Sequence, residues 1–567
     1  MIQHKSIAKW AFAGAALCAL MPSSAAAQLV GYEDVDSGDP AVADDSSDAP
    51  GRPARTARIE VVPYVELQQL LVADLSNGGE VLTYSTVAAG VQLGVSTRRA
   101  EAQADVRYER RIAWNGDLDD QDIISGIARA RYDVLPSRLA VEAGALATRA
   151  RSDIGGDANG ILVGNTDNTV DVYSIYAGPT VSLPVGAATL AAGYRFGYNR
   201  VESDGPRLAA GGTPVDVYDD STNHLATVSL GVQPGQLPVG LAVGAGYERE
   251  DTSQLDQRYE GKYARVDATV PVSPTLAVVA GVGYEDIEVS QRDPLLDGTG
   301  NAVIDGSGRF VTDPASSRRV TVESDGLIYD AGVMWRPSAR TSLDARVGKR
   351  YGDLWLMASY QQQLDPRTNF AFGAYQTFSS YGRRLTNALA SLPTQFDSFR
   401  NPLDGSLGTC FYGSGNSGGG ACLDGALAGT TTANFLSRGA AAQLSMTRGR
   451  WNYGVGVGVD QREFEGQNLL GTIDLTGVTD ESYYANVAAG VQLDARSSFD
   501  TLAYLRYFDN GIATAPDVLS YGATAAYNRQ FLRGLSGVAA LGINGYKPEG
   551  ADAELIASVL LGARYSF

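Results

Sequence analysis

The chain has 567 residues, among them 66 glycines and 29 tyrosines but only three cysteines, five methionines and two histidines. A mean hydropathy of −0.11 excludes a bundle of membrane-spanning helices, and no later stretch offers the ~18 consecutive apolar residues one such helix needs. A formal charge of −19 excludes nucleic acid as a partner, because polyphosphate would be repelled.

The first 27 residues read as a secretory signal peptide. Lys5 and Lys9 form a basic start, residues 10–20 an apolar run, and Ala25-Ala26-Ala27 a small-residue cleavage site before Gln28. Cys18 follows Leu17, where a lipidation signal wants a small residue. Cleavage leaves a chain of charge −21, since Lys5 and Lys9 depart. Residues 28–57 are polar and aperiodic, acidic first (Asp34, Asp36, Asp39) and basic last (Arg52, Arg55). They read as a disordered periplasmic linker, too short for the globular plug of TonB-dependent transporters.

From residue 58 to 567 one unit recurs: an alternating strand, a tight turn, another such strand, a longer polar loop. Trp451, Tyr453, Val455, Val457 and Val459, for example, alternate with Asn452, Gly454, Gly456, Gly458 and Asp460. Successive side chains of a strand point to opposite faces, so this pattern suits one face in lipid and one in a watery lumen. The tight turns fall at 135–138, 273–275, 337–340 and 448–450. The long connections fall at 152–170, 201–221, 288–324, 379–438 and 464–480. The expectation is an all-β, antiparallel up-and-down transmembrane barrel of about 22 strands, within roughly 18–24, with short periplasmic turns, long extracellular loops and both termini periplasmic. Its location would be the outer membrane of a Gram-negative bacterium, with membrane lipid as its surroundings.

Arginine at bilayer depth costs ~2–4 kcal/mol on the lipid face, so the strand arginines are expected to point inward. The pore-lining candidates are Arg107, Arg129, Arg131, Arg195, Arg265, Asp330, Asp344, Arg346, Arg350, Asp460, Arg462 and Arg506. They suit a charged pore wall for anionic or sugar-like solutes, or equally a cross-strand salt-bridge lattice that rigidifies the barrel. Trp335 and Trp451 beside tight turns, and Tyr198, Tyr247, Tyr284 and Tyr351 toward the loops, supply interfacial belts.

No catalytic, cofactor or metal site emerges. After cleavage the single histidine is His224, without a partner motif, and reads as a structural or lumen residue. The glycines of residues 298–309 lack the lysine and strand-to-helix context of a phosphate loop, and read as turns of an extracellular hairpin. Asp117, Asp119, Asp120 and Asp122 lack the closing Glu of a calcium loop. Cys410 and Cys422 flank a Gly/Ser-rich run and read as one disulfide, with roughly 3 kcal/mol of loop-closure stabilisation.

A barrel of this size leaks unless something occupies it. The candidate is the longest connection, 379–438, with a helix expected at 383–396 and the Cys410–Cys422 clamp. Arg383 and Arg384 are expected to pair with acidic residues of the wall. A surface loop lying over the mouth is the alternative. The last strand carries Leu555, Ala557, Val559, Leu561, Ala563, Tyr565 and Phe567 on one face. The final Tyr565 and Phe567 resemble the C-terminal signal of outer-membrane barrels, which implies recognition by the assembly machinery.

Three passages carry a family resemblance: RIEVVPYVELQQ (58–69), RDPLLDGTGNAVIDGSGRFVTDPAS (292–316) and DGLIYDAGVMWRPSARTSLDARVGKRYG (325–352). They resemble outer-membrane barrels of sphingomonad-type alphaproteobacteria, similar to the β-barrel porin 2 group and to barrels found with exopolysaccharide systems. Some such barrels carry the name preprotein translocase subunit YajC, which this sequence contradicts, since that subunit is a small inner-membrane protein with one helix. No functional residues transfer from the family. The leading expectation is a non-enzymatic, porin-like channel for passive passage of small hydrophilic solutes. The alternatives are an exopolysaccharide or polymer export component and a structural or adhesive barrel.

Overall fold

A computed structural model describes residues 58–567 apart from 77–80, 115–119, 152–168, 204–206, 209–213, 216–217, 236, 404, 414–420, 428, 467–474 and 512–515. The signal peptide, the linker, Asp117, Asp119 and most of the Gly/Ser-rich run lie outside the described residues.

Twenty-two antiparallel strands form one closed sheet. Each pairs with its neighbour in sequence, and the seam closes where Arg58–Asp74 pairs with Glu554–Ser566, from Tyr64↔Ser566 to Asp74↔Ile556. The period-two pattern sets the faces as expected. In the last strand Val559, Leu561 and Tyr565 are exposed while Ser558 and Leu560 are buried. In the first, Val65, Leu67 and Leu71 face out and Tyr64, Glu66 and Leu70 face in. An outward apolar row flanking every polar inward row is what a bilayer-spanning barrel requires, because all backbone groups are paired around a closed sheet. No helix among the described residues is long and apolar enough to cross a membrane, which says nothing against strands doing so.

One end of the barrel, the turn rim, carries the tight turns. Pairing slips by a residue beside several of them, at Asp133/Leu135, Pro271/Ser273, Gln363/Asp365 and Gln530/Leu532. Bulges at a barrel rim bend the strand into the turn. Among the described residues, the opposite, loop rim has one two-residue turn. Strand Thr341–Arg350 returns directly as Asp353–Asp365 through Tyr351 and Gly352, at φ 54° and 79°. Two consecutive left-handed residues make the hairpin turn whose twist matches its strands. This hairpin is low: its neighbour Arg319–Ser338 runs ten residues past the last pair, Tyr329↔Lys349.

The loop after strand Leu276–Gln291 is no simple hairpin. Residues 293–316 are three octads, DPLLDGTG, NAVIDGSG and RFVTDPAS, folded as a three-sided prism. Leu295 N donates to Val311 O (2.7 Å), Val303 N to Leu295 O (2.8 Å) and Val311 N to Val303 O (2.9 Å). Each corner is an aspartate turn, with Asp297, Asp305 and Asp313 accepting from the backbone N two residues on, each at 2.8 Å. Ala302 and Phe310, at matching octad positions, are buried beside Leu255. The ends of the prism meet, Asp293 N donating to Ser316 Oγ at 3.1 Å.

The longest connection between paired barrel strands positions the site. Strand Thr368–Ser379 pairs with Asn434–Arg448, and the intervening residues fold inside the barrel. They form helix α1 (Tyr381–Ala390), a three-stranded sheet of Phe396–Arg400, Leu407–Gly413 and Ala421–Cys422, and one helical turn, α2 (Asp424–Leu427). The largest apolar core lies between this insert and the wall. Leu385, Leu389, Leu392, Phe396 and Phe411 pack against inward Ile127, Leu146, Val170, Val172 and Val201. Each such side chain removed from water contributes about 1.5–3 kcal/mol.

Candidate functional site

Helix α1 begins where Ser380 Oγ accepts from Arg383 N (3.2 Å), an N-cap that satisfies one of the free amides of the first turn. It stops at Ala390, three residues before Pro393, whose ring keeps Leu392 out of the helical region. The expected helix at 383–396 is therefore displaced, and Phe396 starts a strand instead.

Two arginines fix the helix to opposite parts of the wall. Arg383 donates to Glu248 (2.8 Å) and lies 3.4 Å from Glu250, all three side chains being at least nine-tenths buried. Its guanidinium carbon sits 3.4 Å from the centre of the Tyr259 ring. Burial alone would push this guanidinium down, but Glu248, Tyr259 and Glu250 outweigh it and raise it above the ordinary arginine value. Arg384 forms a two-pronged pair with Asp460, at 2.8 and 2.5 Å. Tyr375 and Ser437 also donate to that aspartate, at 2.5 and 3.1 Å. The parallel fork geometry is the strong form of the pair.

Further along, Arg129 donates to the Leu392 carbonyl (2.8 Å), Gln103 Oε1 accepts from Phe396 N (2.9 Å) and Arg400 reaches Asp105 (2.9 Å). Arg506 reaches Thr409 Oγ1 at 3.3 Å, and Arg462 reaches the Gly429 carbonyl at 3.2 Å. Leu403 joins an apolar cluster with Leu70, Tyr84, Ala526, Ala540 and Leu560, spanning the seam. Cys410 and Cys422 are bonded. The bridge rests on Gly456, where a Cβ would stand 3.0 Å from one sulfur and 3.2 Å from the other. The insert thus touches wall strands on both sides of the seam and around most of the circumference.

The pore-lining candidates divide accordingly. Arg129, Arg195, Asp460, Arg462 and Arg506 hold the insert instead of lining an open wall. Arg107 bonds Glu109 (2.9 Å) and Glu66, and Arg111 bonds Glu109 (2.5 Å), a buried quartet next to Gly405 of the insert. Arg265, Asp330, Asp344 and Arg346 form a ladder with Asp267. Arg265 meets Asp330 at 2.9 Å, and Arg346 meets Asp267, Asp344 and Asp330 at 3.1, 3.4 and 3.5 Å. Arg350 pairs with Glu285 (2.6 Å), and Arg131 with Glu142 (2.5 Å) and Asp133 (3.3 Å). All face inward and all belong to the cross-strand lattice. His224 does not face the lumen. It lies outward with Tyr194 and Phe196, its Nδ1 2.7 Å from the Tyr194 hydroxyl. Asp120 and Asp122 pair with Arg110.

Asp105, Gln103, Arg400 and Tyr259 were missed as insert contacts by the reading of the sequence. Their signal was the presence of further arginines and aromatics inside 379–438, matched by inward acids on distant strands.

Between the insert and the wall lies a cavity of 210 Å³. One stripe of α1 and its C-cap, Arg384, Asn387, Ala388 and Ser391, faces it, a spacing of three and four residues that puts all four on one helical side. From the wall, Trp355, Met357, Tyr375, Ala441, Arg195 and Arg350 line it.

No family model matches the chain, and no curated protein matches it. Among solved structures it is similar to the FrpB iron transporter of Neisseria meningitidis, at 10% identity over 89% of this chain and 82% of that one, TM-score 0.41. The open form of the ferric-catecholate import receptor Fiu of E. coli K12 aligns at 11% identity over 91% and 82%, TM-score 0.46. The siderophore receptor PirA of Acinetobacter baumannii aligns at 10% over 90% and 81%, TM-score 0.38. Likeness at this level assigns neither substrate nor mechanism.

Proposed function

We propose that the protein is an outer-membrane channel for small hydrophilic solutes, whose bore is set by the folded insert of residues 380–433. The observation that carries this reading is the docking of α1 by Arg383 to Glu248 and Arg384 to Asp460, on different wall strands. A lid over the mouth would have no reason to bury two guanidiniums in the wall, because desolvating a charge is costly unless its partner is waiting. Contact with most of the circumference favours small solutes over a polymer, which needs a continuous wide path. The loop rim would face the outside and the turn rim the periplasm, with the assembly machinery reading Tyr565 and Phe567. The test is single-channel conductance of refolded protein, full length and with 383–430 replaced by a short Gly/Ser linker. The linker variant should conduct severalfold more. Equal conductance with an intact, heat-modifiable barrel would reject the insert as the constriction.

A further inference from the structure

Resting on that channel reading, we infer that a hollow on the inner face of strands Val518–Leu532, Leu535–Pro548 and Glu554–Ser566 is a binding station for a small neutral polyol, and that Leu403 of the insert is its plug. The floor of the hollow is a glycine. Gly542 faces the lumen between Thr524 on one neighbouring strand and Ser558 on the other, and Asn544 is the next inward residue toward the loop rim. A Cβ added at Gly542 would collide with Leu403 Cδ1 and stand 3.5 Å from Thr524 Oγ1. The insert thus places one methyl group where the missing side chain leaves room, beside two hydroxyls and an amide.

That methyl group does not suit its surroundings. Ser558 Oγ, Asn544 Nδ2 and Ser520 Oγ find no hydrogen-bond partner among the described residues, although the three residues are 2%, 6% and 2% exposed. The other end of the amide is met, its Oδ1 accepting from the Tyr504 hydroxyl at 3.0 Å. Buried polar groups left unmet are costly, and a ligand rich in hydroxyls offers donors and acceptors alike. An apolar solute would leave them unmet, as Leu403 does. A charged one fares no better. From Ser520 to Asn528, Val538 to Tyr546 and Ile556 to Gly562, no inward residue of these three strands is charged, so an ion here would be desolvated without a counter-ion. Arg506, opposite Ser520 on the next strand, bonds Thr409 and Asn486. The plug is held from its other side. Leu403 packs on Leu70, Ala540 and Leu560, toward the turn rim, and Arg400 at the base of its turn bonds Asp105 at 2.9 Å. A polyol in the hollow satisfies the polar groups and displaces the leucine, so ligand and plug exclude one another.

Glucose is the probe, with glucuronate as its anionic and glucosamine as its cationic counterpart. In the refolded full chain, with Cys410 and Cys422 already bonded, the thiol of Leu403→Cys should react slowly with a water-soluble maleimide. Millimolar glucose should speed that reaction at least threefold, and the two charged sugars should not. Adding Asn544→Leu or Ser558→Ala should remove the glucose effect. In planar bilayers glucose should interrupt the current, and Leu403→Gly, which lacks the plug, should lower the half-effect concentration at least fivefold. Labelling of sugar-free Leu403→Cys at the rate of the unfolded chain overturns the plug. Acceleration by glucuronate or glucosamine equal to that by glucose overturns the neutral class. Labelling indifferent to glucose overturns the station, and leaves the channel reading standing where current flows. Glucose-driven labelling in a chain that carries no current keeps this inference and rejects the conducting role.

Discussion

At Arg383 one side chain ties helix, wall and core together. It is 2% exposed, stacked on Tyr259 and bonded to Glu248. Replacing it by methionine keeps the volume and leaves two buried carboxylates without their cation. Breaking such a pair by removing one partner costs about 3–5 kcal/mol. Arg383→Met is therefore expected to undock the insert while the barrel stays closed. Limited proteolysis should show new cleavage within 383–430 and conductance should rise. Protection equal to the parent would show that Arg383 is not an anchor. Gly456 makes the converse point. Its missing side chain is the seat of the disulfide, so Gly456→Leu should lift the hairpin from the wall and widen the channel with Arg383 intact. A mass-labelling experiment that finds Cys410–Cys422 still bonded and the conductance still low would sink this.

At the scale of elements, the insert is a small fold stapled by one bridge. Cys410 and Cys422 pair in register across two strands, twelve residues apart. Closing a loop of that length stabilises by about 3 kcal/mol in the chain-entropy model. The double variant Cys410→Ser, Cys422→Ser should leave the barrel assembled and make the current noisier, with frequent transient openings. Current as quiet as the parent's would mean that α1 alone holds the bore. Much of this element was legible beforehand. The cysteines, the two arginines and the helix stood in the sequence, and the helix was misplaced only because Ser380 and Pro393 outrank the apolar spacing as boundaries. What was not legible is which face of the wall the insert covers. Ile127, Leu146, Val172 and Val201 share the inward face with Arg129 and Ser174, and a period of two says which residues share a face, never what lies against it.

For the whole molecule, strand count, closure, turn positions and side-chain faces follow from alternation and turn chemistry, because a one-residue slip would turn every charge into lipid. The lattice-versus-pore choice did not follow, since inward charges of both signs serve either use. In the structure these arginines pair with acids of nearby strands or bond the insert. This predicts a depth-dependent pattern of labelling. Cysteines placed at Gln92, inward and exposed near the turn rim, should react with a water-soluble maleimide. Cysteines at Ser174, Asn199 or Ser437, each 0% exposed beneath the insert, should not react until 383–430 is removed. Rapid labelling of all four in the intact protein would contradict a filled lumen.

The octad prism on the loop rim carries a consequence for how this surface can change over time. Its three backbone hydrogen bonds form a closed ring from Leu295 to Val303 to Val311, so the loss of one octad breaks the ring, and a fourth has no place in it. Its ends are already joined through Asp293 and Ser316. Length variation here is therefore quantised. The loop keeps all three octads or sheds them together, leaving a short turn between strands Leu276–Gln291 and Arg319–Ser338. Substitutions are free to accumulate at Gly298 and Gly306, where an added side chain meets nothing within 4 Å, which makes those two positions natural points for grafting a foreign peptide.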